Sequence, residues 1–408
     1  MSGPRIGPLG GVKIVDLSNM LMGPYATQTL GDMGADVIKV EAPEGDPVRG
    51  IGPLRNPGMG AIFINCNRSK RSIVLDLKSP AGLAAVIDLL KQADVLVYNS
   101  RPHSMARLGL SYEAVSAINP RIIYAGLFGY GQAGPYAAKP AFDDLIQGAV
   151  AVPWLSHMAD GGEPRYAPTA IVDRGVALWA VGQITAALYH RSRTGQGQRI
   201  DCPMFEMMAS FVLGDHLSGQ AFEPPLGAAG YLRMLNAHRR PYPTSDGHVC
   251  VMIYTDRHWR AFFKALGREE TFEKDPRYGS MTSRTENIVA LYRELAELLL
   301  TRSTAEWLEL FNKADIPAMP LNTLESLMAD EHLAATGFFS FEEHPTEGRL
   351  RHMAYPSTWS VTQPGGTRPV PRKGEHSAEV LREIGYSDER IDALMRSGAS
   401  ASITQKET

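Results

Sequence analysis

A repeated alternation of apolar runs and helix-like stretches constrains the first part of this chain more than any other feature. VKIVDL (12–17) reads as a buried strand. Gly23-Pro24 opens a helix to about Met33, with proline at the first helical position. DVIKVE (36–41) is a second strand, so strand, helix and strand form a βαβ unit. The rhythm continues through RSIVLDL (71–77), ADVLVYN (93–99) and RIIYAGLFGYG (121–131). Between them lie a helix capped by Ser79-Pro80, with Leu83, Val86, Ile87 and Leu90 on one face, and a helix from Ser111 that Asn119-Pro120 ends. Such units build parallel sheets covered by helices on both faces. The expected fold class is therefore α/β, with a doubly wound, Rossmann-like large domain. The dinucleotide fingerprint is absent, because the turn after the first strand reads DLSNMLMGP and not G-x-G-x-x-G. Glu41 stands where a ribose-binding acid would, and the helix at Gly23-Pro24 offers free N–H groups to an anion.

The stretch from Pro168 to Glu206 adds a different signal. A helix is predicted from about Arg174 to Ser192, apolar nearly all round: Val176, Leu178, Trp179, Val181, Ile184, Ala187 and Leu188. A helix of that kind is buried in a large core or crosses a membrane. Gln183 and the arginine-rich end favour the core, and glycines after the last turn stop it before the strand QRIDC. Asp173 is left where the helix begins. One reading is an N-cap, which aspartate favours. The other is an anionic nucleophile held at a helix N-terminus. Spacing alone leaves both open.

From about Gly214 to Thr244 the periodicity fades and Gly, Pro and basic residues collect. DGHVCVMIY (246–254) then reads as a strand, followed by the amphipathic TDRHWRAFFKALG and by helices at about 284–300 and 304–314, the latter with a capping box from Ser303 to Glu306. LNTLESLMADEHLAATGFF returns to helix, 340–372 is proline-rich and extended, and Ser377 to Met395 is helical with a break at Gly385. The expected domains are a large α/β part over 1–213, a linker over 214–244, a small α+β domain over 245–318 and a C-terminal part over 319–408.

A formal charge of −3 argues against general nucleic-acid or membrane-surface binding. MSGPRIGPLGG lacks the apolar core of a signal peptide, and no uninterrupted apolar run of about 20 residues is seen, so a cytoplasmic protein is expected. Cys66, Cys202 and Cys250 match no metal or redox spacing and read as buried residues of a reduced compartment. No HExxH, histidine cluster or G-x-S-x-G elbow is present, so no metal site is expected. Arg49, Arg68, Lys70, Arg71, Lys78 and Arg107 gather near strand ends. Singly each reads as solvated surface; together, at the carboxyl ends of a parallel sheet, they could grip a phosphorylated ligand.

The chain resembles the class III CoA-transferase family, typified by formyl-CoA transferase and carnitine CoA-transferase, from about Leu9 to Leu394. The likeness is carried by GVKIVDLSNMLMGPYATQTLGDMGADVIKVEAPEGDPVRG, NCNRSKRSIVLDLKSPAG, ADVLVYNSRPHSMARLGL, GYGQAGPYAAKPAFDDLIQ, DRGVALWAVGQITAALYHRSRTGQGQRIDCPMFE, IPAMPLNTLESLMAD and GEHSAEVLREIGYSDERI. The resemblance implies an interlocked homodimer and a large domain assembled from both chain ends. It implies that Asp173 is the catalytic nucleophile, through a mixed anhydride and then an aspartyl-CoA thioester, with coenzyme A entering as acyl-CoA and a carboxylic acid as acceptor. It places CoA contacts at Met20, Leu75, Lys78, Asn99, Ser100 and Arg107. Asp143 falls where the family has an acid close to the nucleophile, and a helix cap is its alternative.

Several positions depart from the pattern. Leu21 replaces the glutamine that aids the acyl group in formyl-CoA transferase, Ala42 replaces the arginine that packs on adenine, and Tyr231 to Asp246 lacks that enzyme's run of glycines. A different acyl pair is expected. Arg174 beside the nucleophile hints at a dicarboxylic acid such as succinate; a first-turn surface arginine is its other reading. The competing functions are an α-methylacyl-CoA racemase, which needs a histidine where Phe142 stands, and a catalytically silent CoA-binding protein.

Overall fold

The computed structural model describes residues 7–366 and 368–402. In chain order the elements are β1 (Lys13–Leu17), α1 (Met22–Asp32), β2 (Asp36–Glu41), α2 (Ala61–Asn67), β3 (Lys70–Leu75), α3 (Pro80–Gln92), β4 (Val95–Tyr98), α4 (Pro102–Arg107), α5 (Tyr112–Ile118) and β5 (Ile123–Phe128). There follow α6 (Asp143–Ala149), α7 (Val152–Asp160), α8 (Ile171–Thr194), β6 (Gln198–Pro203), α9 (Met204–His216), β7 (Tyr242–Pro243), β8 (His248–Val251), α10 (Asp256–Ala265), α11 (Glu269–Lys274), α12 (Met281–Glu286), α13 (Ile288–Leu299) and α14 (Thr304–Lys313). The last elements are β9 (Ala318–Pro320), α15 (Leu324–Met328), α16 (Glu331–Ala335), β10 (Phe339–His344), β11 (Gly348–Met353), α17 (Ser377–Glu383), α18 (Asp388–Arg396) and β12 (Ser400–Ala401).

Two compact units result. Among the described residues, the first comprises 7–150, 167–210 and the part from 332 to 402, and the second comprises 151–166 and 211–331. The first is built on a seven-stranded sheet of order β12-β3-β2-β1-β4-β5-β6. Every pairing from β3 to β6 is parallel, and only β12 runs antiparallel, along β3. Covered on both faces, β3, β4 and β5 are buried at every position; β4 and β5 are apolar or aromatic throughout, while β3 also buries Lys70, Arg71 and Ser72. One face packs Val15, Ile38, Leu75, Leu96 and Tyr124 against α3, and Val380, Leu381, Ile391 and Leu394 from the distant C-terminal helices join the same cluster. The capping serines act as their sequence suggests: Ser79 Oγ accepts the Gly82 N–H and Ser111 Oγ that of Ala114.

The long helix departs from expectation. α8 starts three residues earlier than read from sequence and is not buried all round. Val172, Val176, Ala180, Ile184 and Leu188 are buried, while Leu178, Trp179 and Tyr189 are 53, 39 and 63 % exposed. Packed on α1, α6, β5 and β6 along one side, it leaves a second apolar side open. By length and composition alone α8 could cross a membrane, but its packing on the sheet is that of a core helix.

The second unit carries the antiparallel sheet β7-β8-β9 and an aromatic core of Trp259, Phe262, Phe263, Tyr278, Trp307 and Phe311. The Trp307 indole N–H donates to the Leu299 carbonyl at 2.8 Å, which satisfies its one polar atom in that core. The capping box forms at Ser303 and Glu306. The compact units divide at 210/211 and 331/332, and the second also takes in 151–166. The helical stretch read over 321–339 is two short helices, α15 and α16. The stretch read as extended opens with a tight β10–β11 hairpin in the first unit.

Candidate active site

In the large sheet the strand order reverses between β1 and β4, and ligands of open α/β sheets bind outside the carboxyl ends of strands at such a point. Leu17 pairs with Tyr98 across it, so the loops leaving both strands start side by side. Asn19 N–H donates to Asn99 Oδ1 at 3.1 Å, and Asn99 Nδ2 donates to the Asn19 carbonyl at 2.8 Å. Met20 follows with φ of 67°, a left-handed conformation unusual for a residue with a side chain. Ser100 is exposed beside Asn99, α4 leads from there to the exposed Arg107, and the exposed Lys78 lies just past β3. Met20, Lys78, Asn99, Ser100 and Arg107 thus all follow carboxyl ends of strands or the helix that continues one.

Asp173 lies at the same edge of the sheet. The other end of α8 is fixed at the amino edge, where Gly197 N–H bonds the Pro120 carbonyl at 3.1 Å and Arg191 bonds the Asp94 carbonyl at 3.2 Å. The N-cap position belongs to Ala170, which offers no side-chain acceptor. Asp173 is the third helical residue, so its backbone N–H is one of the helix's orphan donors. That N–H donates to Asp143 Oδ2 at 2.9 Å. Asp143 is the first residue of α6, and its carboxylate caps α8, not its own helix. Gln147, one turn on and fully buried, donates to Asp143 Oδ1 at 2.5 Å and accepts the Ala167 N–H at 2.9 Å. The N-cap reading of Asp173 is therefore corrected: the cap comes from another segment, and the Asp173 carboxylate is left without that structural task.

Burial first, and then the nearby Asp143 charge, push the Asp173 carboxyl up to about 6 against the opposing pull of Arg174. The Arg174 guanidinium lies 4.2 Å from the centre of the Tyr25 ring on α1, and its charge acts on the buried Cys66 thiol. Gln147, Tyr25, Cys66 and Asn19 escaped the sequence reading. Only Gln147 had a local signal, the four-residue spacing from Asp143 that puts both on one helix face.

Residues 9–377 match the family model described as CoA-transferase family III. The chain belongs to CoA-transferase family III. It is 32 % identical to the human succinyl-CoA:glutarate CoA-transferase, covering 99 % of this chain and 92 % of that protein. It is 34 % identical to the succinate–glutarate CoA-transferase of Agrobacterium fabrum, covering 93 and 96 %. A crystal structure of a CAIB/BAIF family protein from Brucella suis superposes with a TM-score of 0.76 at 32 % identity, covering 93 % of this chain and all of that one. A hypothetical protein from Mycobacterium tuberculosis gives 0.80 at 26 % identity, covering 92 and 99 %. The protein is accordingly an enzyme of class EC 2.8.3, and CoA thioesters are its substrates.

For a CoA-transferase the fate of the basic residues matters, and four of the six are spent inside the protein. Arg49 forms a double hydrogen-bonded pair with Glu41, Arg68 pairs with Asp32 at 2.6 Å, Lys70 with Asp16 at 3.1 Å, and Arg71 with Asp36, Glu379 and Glu383. Arg49, Lys70 and Arg71 are buried, where an unpaired charge would be costly. The set read as a phosphate grip therefore shrinks to Lys78 and Arg107. Glu41, placed as a ribose acid, is likewise committed: Arg49 and Ser72 hold its buried carboxylate down to about 2. Leu75 is fully buried with its side chain in the core, so only its main chain could meet a ligand. No group of three His, Cys, Asp or Glu side chains able to hold a metal occurs among the described residues.

Proposed function

We propose that the protein moves CoA from an acyl-CoA thioester to a free dicarboxylic acid, with Asp173 as the nucleophile. The observation that carries this reading is the pairing of Asp173 with Asp143. Of two neighbouring carboxylates, Asp143 has both oxygens engaged, by the Asp173 N–H and by Gln147. Asp173 titrates near 6, ionised at neutral pH and more basic than an ordinary aspartate.

In the proposed reaction an Asp173 carboxylate oxygen attacks the thioester carbonyl carbon. The C–S bond breaks, CoA leaves as thiolate, and an acyl-aspartyl anhydride remains. The thiolate then attacks the Asp173 acyl carbon, and the bond between that carbon and the bridging anhydride oxygen breaks. The donor acid departs as a carboxylate and Asp173 becomes an aspartyl-CoA thioester. The acceptor carboxylate attacks that thioester and the two steps run in reverse. Each step exchanges groups of similar acyl-transfer potential, so no outside energy source is required.

CoA binding is assigned to Met20, Asn99, Ser100, Lys78, Arg107 and the Leu75 main chain around the switch point. The dicarboxylic class is supported by similar proteins named for succinyl-CoA with glutarate or mesaconate and for formyl-CoA with oxalate. Arg174 is the cation nearest in sequence to the nucleophile that could receive the second carboxylate. The open apolar side of α8 supports a homodimer, and the family resemblance suggests that its chains interlock. Incubation with succinyl-CoA, followed by intact-mass analysis and hydroxylamine trapping, tests the mechanism. The expected result is a CoA or acyl adduct on Asp173 that Asp173→Ala abolishes; bound CoA with no adduct from any thioester would overturn it.

A further inference from the structure

Beneath the switch point lies a chain of buried ion pairs. Asp16 pairs with Lys70, Lys39 with Asp46 at 2.8 Å, and Arg49 with Glu41 at 2.7 Å; the Lys39 and Asp46 side chains are each 1 % exposed. Burying charged pairs gains little stability over apolar packing of the same shape. The Lys39–Asp46 pair also reaches the loop between β1 and α1. Lys39 Nζ donates to the Ser18 carbonyl at 2.9 Å, and Asp46 Oδ1 accepts the Met20 N–H at 3.1 Å and the Val48 N–H at 3.2 Å. The remaining polar groups of the loop are tied as well. Ser18 N–H goes to Asp16 Oδ1 at 2.9 Å, and both main-chain groups of Asn19 go to Asn99. Side chains from two strands, Asp16 and Lys39, and from two loops, Asp46 and Asn99, thus fix each backbone group from Ser18 N to Met20 N. Directly after them stands the left-handed Met20, a conformation that persists only where its surroundings hold it.

We infer that the buried Lys39–Asp46 pair is the positioning device of the CoA site, holding the Ser18–Met20 backbone in its binding conformation. The inference rests on the assignment of CoA to the switch point. Neither side chain touches substrate, since both lie beneath the loop; they act through the main chain of Ser18 and Met20.

The test is CoA affinity by calorimetry, together with steady-state kinetics of the full chain. The charge-free double variant Lys39→Met/Asp46→Leu leaves no unpaired member of this pair. It is expected to weaken CoA binding about tenfold or more and to raise the Michaelis constant for acyl-CoA alike, with kcat within about threefold. Asp46→Asn keeps an acceptor for Met20 and Val48 and removes the charge and the oxygen that faces Lys39; it serves where the double variant does not fold, with an expected weakening of about threefold. CoA affinity within about 1.5-fold of the unaltered protein, in a folded variant, would overturn the inference. Arg107→Ala separates the two assignments. If it weakens CoA binding and the pair variants do not, only the positioning role falls; if neither does, the switch-point assignment itself falls.

Discussion

A carboxyl group that titrates near 6 is about 90 % ionised at pH 7, yet it holds its proton more tightly than an unfolded aspartate. Between the unfolded value near 3.8 and the folded value near 6, the folded state binds more protons than the unfolded chain. Stability therefore falls as pH rises through that window. Asp173→Asn removes the desolvated charge and its repulsion with Asp143. It should abolish CoA transfer while stabilising the fold at pH 7.5 by about 2 kcal/mol, a gain that vanishes towards pH 4. Thermal melts at the two pH values check this. The same ionisation should set the acid limb of the rate: kcat/KM for acyl-CoA drops about tenfold per unit below about pH 6. Asp143→Asn should move that limb to lower pH, because a like charge is gone while an acceptor for the Asp173 N–H remains. At this scale the family resemblance put Asp143 close to Asp173, but the residues themselves left open which of the two caps a helix. Asp143 and Asp173 are thirty residues apart, and which one caps the helix and which is left to react depends on a hydrogen bond that no local pattern encodes. The basic residues mislead for the same reason: Arg49 and Lys70 look like exposed strand-end cations until their buried partners Glu41 and Asp16 are placed.

The parallel strands β1 to β5 were legible from their apolar runs, although β3 opens with the buried Lys70, Arg71 and Ser72, and α3 and α5 because Ser79 and Ser111 cap them; α1 starts at Met22, so Pro24 is its third residue and not its first. The hairpin β10–β11 was not. It alternates charged and apolar residues, FSFEEH and GRLRHM, within a proline-rich stretch, and its pairing comes from the turn between the strands. The solvent-open side of α8 was hidden as well, since an apolar helix reads alike whether its second side meets the same chain or another. Local packing gives one sharp test at the element scale. A Cβ on Gly23, in the first turn of α1, would fall inside the Ser18 side chain. Gly23→Ala should therefore displace the Ser18–Met20 loop, lowering stability by about 1–3 kcal/mol and weakening CoA binding together. Calorimetry with CoA beside a thermal melt would detect both.

If the exposed Leu178, Trp179 and Tyr189 meet a second chain, sedimentation equilibrium should return twice the 44.6 kDa chain mass. For interlocked chains, dilution to about 10 nM should release no monomer, and dissociation in denaturant should coincide with unfolding. A monomer at micromolar concentration would remove the interlocked dimer. The sheet itself has an unusual dependence on distant sequence. β12 covers the outer edge of β3, and the buried Arg71 on that strand takes two of its three carboxylate partners, Glu379 and Glu383, from α17. On a ribosome that adds about 5–20 residues per second, roughly 10–40 s separate the emergence of β6 from that of β12. Throughout that interval the edge of β3 can pair with any passing strand and Arg71 lacks two counter-charges. The enzyme's yield in a cell should accordingly depend on what shields a half-finished sheet during translation, and slowing synthesis over 204–400 should favour aggregation of nascent chains over activity.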